Sequence, residues 1–111
     1  DDIVNGIYLL INKAPNKKQN RKYKNDSLST VAPCRILNIG NSKKVLLLNF
    51  LKEIELSLNK KSIRNYMPIQ KGDVKKTLSN ISLIKSITKY NPKIDYKKGI
   101  REFIKWYKSY Y

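Results

Sequence analysis

Histidine is absent from this 111-residue chain, and cysteine occurs once, at Cys34. Those two shortages exclude a good deal of chemistry. Without histidine the usual Ser-His and Cys-His nucleophile pairs cannot be assembled. A zinc site would have to be built from carboxylates, and no disulfide can close within the chain. A lone thiol with no partner is expected to be a small, buried, inert hydrophobe. Glycine is also scarce: the four stand far apart at Gly6, Gly40, Gly72 and Gly99. They cannot supply the closely spaced glycines that let a backbone wrap a pyrophosphate at a helix start. Long apolar runs are missing too: Val45 to Leu48, for instance, is cut short by Asn49. No stretch has the length to span a bilayer and no secretory leader is present, so a soluble, cytoplasmic protein is expected. Asp1 stands where a start methionine would be, and the sequence is expected to begin mid-protein.

What the chain has in excess is positive charge: 24 lysines and arginines against 8 acidic residues, a net +16. Counterion release would give such a chain affinity for nucleic acid or an anionic surface. Yet lysine outnumbers arginine 20 to 4, and arginine is the residue that reads bases and forks phosphates. The lysines are also spread along the chain. Together with the many Asn, Ile and Tyr and only two Ala, the pattern is one that AT-rich coding produces without selection for binding. Most of the charge is therefore read as solvated surface. The densest part, Lys13 to Lys24, belongs to a basic surface loop placed at residues 14–30.

Hydrophobic spacing predicts four helices. Ile3, Val4, Ile7, Leu10 and Ile11 follow Asp2 at helical intervals, giving a first helix to about Lys13. Leu47, Phe50, Leu51, Ile54 and Leu58 give a second over residues 45–59, with Lys52, Glu53 and Glu55 on its wetter sides. Asn80 caps a short third, ending at Thr88, and Asp95 caps a last one carrying Ile100, Phe103, Ile104 and Tyr107 on one face. Phe103, Trp106 and Tyr107 read as packing residues. The β-branched run Arg35-Ile36-Leu37-Asn38-Ile39, closed by Gly40-Asn41, predicts a buried strand, and residues 62–66 a second.

Four segments, taken in order, resemble the C-terminal part of the NAD-dependent nucleotide-sugar epimerases of the extended short-chain dehydrogenase superfamily. Asp1-Asp2-Ile3-Val4-Asn5-Gly6 resembles that family's helix start, and Ala32-Pro33-Cys34-Arg35 through Asn38-Ile39-Gly40-Asn41 its strand and turn. Pro68-Ile69-Gln70-Lys71-Gly72-Asp73-Val74 resembles a loop of the UDP-glucuronate 4-epimerases. Gly99-Ile100 with Phe103, Trp106 and Tyr107 resembles the closing helix. The resemblance implies an α/β fold class: the C-terminal substrate-binding part of an extended short-chain dehydrogenase fold, with about four helices, two or three short strands and no Rossmann core. The whole of residues 1–111 would then be a nucleotide-sugar-binding domain.

The same resemblance implies a UDP-sugar as partner, bound through Gln70, Lys71 and Asp73, with Asp73 accepting from ribose hydroxyls and Lys71 adding a cation. An ordinary tight turn is the alternative reading of Gly72-Asp73 from the residues alone. NAD would serve the full-length family, but this chain is expected to bind no cofactor and no metal. The family's catalytic tyrosine has a lysine four residues on, and none of the eight tyrosines here has one, so no catalytic residue is assigned. Three readings follow. The first is a UDP-sugar-binding portion of a UDP-glucuronate-type 4-epimerase, involved in surface-polysaccharide precursor synthesis and catalytically incomplete alone. The second is a complementing half that docks on a separate Rossmann half or self-associates, and the third a small basic protein that binds nucleic acid or an anionic surface.

Overall fold

The computed structural model describes residues 1–16, 18, 20–74 and 76–111. Lys17 and Gln19 of the basic loop lie outside the described residues. Four helices follow one another: α1 (Asp2–Ile11), α2 (Leu47–Leu58), α3 (Ser82–Thr88) and α4 (Tyr96–Tyr110). No strand occurs among the described residues, which corrects the α/β expectation to a helical one. The reason is local. A strand exists only when a neighbour closes a hydrogen-bonded ladder with it. In the 35–39 run the Ile36 N–H donates to the Ser27 hydroxyl, which donates back to the Ile36 carbonyl. A side chain thus does what a neighbouring backbone would do. In residues 62–66 the Ser62 N–H is likewise taken by a side chain, that of Glu55.

The chain divides into two compact units. The first comprises Asp1–Ser42 and Leu78–Lys93. Its core is Ile81, Ile84 and Tyr90, with Leu9, Leu10, Leu37 and Ile39 packed against it. α1 reaches that core through Gly6: a Cβ there would lie 3.0 Å from a methyl of Ile39 and 3.3 Å from the Tyr90 ring. A side chain at this position would require Ile39 and Tyr90 to give by a few tenths of an ångström. The Asp2 carboxylate accepts from the Lys93 N–H at 3.0 Å, joining the two sequence segments of the unit. A buried ion pair orders the polar loop. Arg35 Nε lies 2.8 Å from Asp26, whose carboxylate also accepts the N–H groups of Leu28 and Lys22. Burial works to raise the Asp26 pKa, but the Arg35 hydrogen bond and those two N–H donors together hold it below the usual range. Cys34 is exposed, contrary to the buried thiol expected from sequence.

The second unit comprises Lys43–Thr77 and Ile94–Tyr111, and in it α2 packs on α4. Ile100 and Ile104 are buried, and Phe50 stacks on Tyr96 with centroids 6.3 Å apart. α2 ends as helices commonly do, with Asn59 left-handed at φ 53° and its N–H bonded to Glu55 and Leu56 carbonyls. Asp95 caps α4 as expected, its carboxylate accepting the Lys98 N–H at 2.9 Å. Phe103, Trp106 and Tyr107 are about half exposed, so they form an aromatic surface stripe and not the core packing read from sequence. Among the described residues no helix is long and apolar enough to cross a membrane.

Candidate functional site

Glu55 departs furthest from the sequence reading. It was expected on a wet side of α2, yet it is buried. The Ser62 hydroxyl donates to it at 2.6 Å and the Ser62 N–H at 3.0 Å, while Arg64 reaches both carboxylate oxygens at 3.2 Å. The Ser62 hydroxyl, then the Ser62 N–H and the Arg64 guanidinium, outweigh the cost of burial and pull the Glu55 pKa down to about 2. Arg64 Nε also lies 3.5 Å from the Ser62 hydroxyl. Glu55 therefore ties the chain leaving α2 back to the helix. The signal was present in the spacing: Leu51, Ile54, Glu55 and Leu58 share one helical face, so an acid at 55 had to be inside and paired.

The loop itself is a tight turn. The Asp73 N–H donates to the Gln70 carbonyl at 3.2 Å, and Gly72, the third residue of the turn, has φ 96°. That left-handed φ is the one a type II turn demands at its third position, where glycine carries no steric cost. Gln70 turns its side-chain amide back onto the Pro68 carbonyl at 3.0 Å. Of the predicted trio, Lys71 and Asp73 are thus presented outward by one turn, whereas the Gln70 amide nitrogen is engaged in holding the loop. All three are exposed. Among the described residues the Asp73 carboxylate has no hydrogen-bond partner. The turn bond runs between backbone groups, so the ordinary Asx-type use of that carboxylate is not what is seen.

Chemically, an exposed carboxylate two residues from a lysine on one turn can accept a pair of hydroxyls and attract an anion. It has neither the burial nor the paired base that proton abstraction requires. No group of three or more His, Cys, Asp or Glu able to hold a metal ion occurs among the described residues. A separate apolar cleft of about 690 Å³ lies between α2 and α4, lined by Phe50, Ile54, Leu58, Ile100, Phe103 and Tyr107 among others. It has no charged lining residue to orient a polar ligand.

No family model matches the chain. Among curated proteins, it is 32% identical over all of its length to a probable UDP-glucuronate 4-epimerase of Rhizobium meliloti, covering 33% of that protein. It is 36% identical, again over all of its length, to protein CapI of Staphylococcus aureus, covering 34% of it. UDP-glucuronate 4-epimerase 4 of Arabidopsis thaliana is 31% identical over the whole chain, which covers 25% of that protein. The chain thus spans about a third or less of the length of these relatives. Over its whole length it matches a fragment of UDP-glucuronate 4-epimerase-like proteins.

Proposed function

We propose that this chain is the UDP-sugar-binding portion of a UDP-glucuronate-type 4-epimerase that serves surface-polysaccharide precursor synthesis, and that it is catalytically incomplete alone. The observation that carries the reading is similarity along the entire chain to proteins named for that reaction. The turn at residues 70–73 supports it. Asp73 accepts from the ribose hydroxyls of the nucleotide, and Lys71 offers a cation toward the diphosphate, as the backbone turn leaves both side chains to solvent.

NAD is the cofactor the epimerase reaction calls for, removing and returning a hydride at the sugar. The glycines of this chain do not fit a dinucleotide cradle. Gly6 is used against Ile39 and Tyr90, Gly40 against Ser79, and Gly72 in the turn. With no tyrosine followed at four residues by a lysine, neither half of the hydride and proton transfer is provided for here. The cofactor-binding part of the enzyme is a separate stretch of polypeptide, the partner this portion works with.

Titration of the chain with UDP-glucuronate, followed by amide NMR, tests the reading. Shifts centred on residues 68–74, and no conversion to UDP-galacturonate on adding NAD, are expected. Turnover by the isolated chain, or an unchanged 68–74 loop at saturating ligand, would refute it.

A further inference from the structure

α4, the 15-residue closing helix, divides into three sectors. Ile100 and Ile104 are buried beside α2. Next to them runs a row of rings. Between centroids, Phe103 lies 5.6 Å from Trp106, Trp106 5.7 Å from Tyr110, Tyr110 5.1 Å from Tyr111, and Tyr111 5.0 Å from Tyr107. These five rings are 46–83% exposed. At about 100° per residue, Phe103, Trp106 and Tyr110 share an arc of roughly 60°, and Lys98, Arg101 and Lys105 share another on the far side of the helix. Lys97 and Lys108 complete the basic sector, so α4 carries five basic residues and one acid, Glu102.

An aromatic sector backed by a basic one is the pattern of a helix that lies in a membrane interface, its rings sunk at the headgroup level and its Lys and Arg above them. Lysine stems run along the helix and keep the ammonium groups among the headgroups. Tryptophan and tyrosine suit that boundary because each has an apolar body and a polar tip. Other occupants match less of the surface. A nucleic-acid strand needs cations and rings on one side, so that phosphates and bases are met together, and here the helix stands between them. A second copy would bring together two chains of +16, a repulsion that opposes association at low salt. A protein partner would cover the rings and make no use of the basic sector, whereas anionic headgroups answer both. We infer that α4 docks, through the Phe103-Trp106-Tyr110 row, on the surface of a bilayer containing anionic lipid. The attachment is peripheral, since among the described residues no helix can cross. It goes beyond the sugar-binding reading and does not depend on it.

The test mixes the 111-residue chain, without nucleotide, with vesicles of phosphatidylglycerol and phosphatidylcholine or of phosphatidylcholine alone. Trp106 is the single tryptophan, so its emission reports on the row directly. Co-sedimentation with the anionic vesicles and a blue shift of Trp106 emission are expected at low salt, with binding to phosphatidylcholine alone at least tenfold weaker. Tyr110→Asp, at an exposed position in the last turn, is expected to weaken binding at least fivefold while helicity by circular dichroism is unchanged. Lys98→Gln with Lys105→Gln is expected to weaken it at least fivefold, since each cation near an anionic surface adds to affinity. Lys13→Gln with Lys24→Gln, the same loss of charge at exposed positions off α4, is expected to change it less than twofold. Sedimentation without a Trp106 shift, or equal weakening by the two lysine pairs, overturns the inference in favour of bulk charge. Absence of binding to the anionic vesicles overturns it outright. A Trp106 shift that grows with protein concentration in the absence of lipid makes a second copy the occupant, and one given by duplex DNA but not by vesicles makes it nucleic acid; either result also overturns it.

Discussion

Asp73→Asn is the sharpest test of the 70–73 turn, because it keeps the side chain's shape and the backbone N–H that closes on the Gln70 carbonyl while removing the anionic acceptor. A hydrogen bond to a charged group contributes roughly 1.5–3 kcal/mol. Asp73 is exposed, so water competes for it and the lower figure applies. At about 1.4 kcal/mol per decade, that is a loss of about tenfold in affinity for UDP-glucuronate. Gly72→Ala probes the scaffold instead. Nothing lies within 4 Å of a Cβ at this position, so its cost is conformational, roughly 1–2 kcal/mol for a side chain held at positive φ. Calorimetric titration then gives a pattern: both variants bind about tenfold more weakly, and only Gly72→Ala shifts the amide signals of residues 70–73 without ligand. An Asp73→Asn chain that binds UDP-glucuronate as tightly as wild type would refute the role given to the carboxylate.

Three further outcomes follow from the packing. The Glu55 pKa falls from 4.5 to about 2 on folding, so its contribution to stability is present above pH 4.5 and is lost as pH falls toward 2. Acid unfolding of the second unit, read from Trp106 fluorescence, is expected in that window and is expected to be shallower in Glu55→Gln. Ile84, fully buried in the first unit, is expected to cost about 2–5 kcal/mol on truncation to alanine, visible as a lower midpoint in urea. Gly6→Leu must force its side chain against Ile39 and Tyr90 and is expected to cost at least ~1–3 kcal/mol by the same measurement.

The helices were legible because their period is written in residues that pack locally. α2 appeared within two residues of its expected limits, and α4 starts at Tyr96 behind Asp95, which caps it as its residue type predicts. The strands were not legible, since a strand is a property of two segments. The 35–39 run has the composition of one, but its backbone finds the Ser27 hydroxyl where a ladder would need a neighbour. Cys34 and the Phe103-Trp106-Tyr107 stripe were misread for a related reason: residue type predicts burial only when enough chain surrounds it. The turn at residues 70–73 was readable from Gly72, whereas the tether at Glu55 was not, because Glu55 looks like one more acid on a helix until its position on the apolar face is counted.

That tether would make the proposed 70–73 site depend on a residue outside it. Residues 62–73 contain neither helix nor strand, so their placement comes from individual hydrogen bonds. One group of these is at Glu55, which holds Ser62 and Arg64. Five residues separate Arg64 from Gln70, where the turn starts. If the clamp sets the loop, Glu55→Gln at neutral pH weakens UDP-glucuronate binding several-fold, moves the amide signals of residues 62–73, and leaves α2 and α4 helical. Its effect and that of Asp73→Asn are then nearly additive, since one lowers the population of the loop conformation and the other removes a contact within it. Arg64→Met should reproduce the Glu55→Gln change in part, because Ser62 still holds the carboxylate. Unchanged affinity in Glu55→Gln, with the 62–73 signals displaced, would show that the turn orders itself through the Gln70 and Gly72 geometry alone.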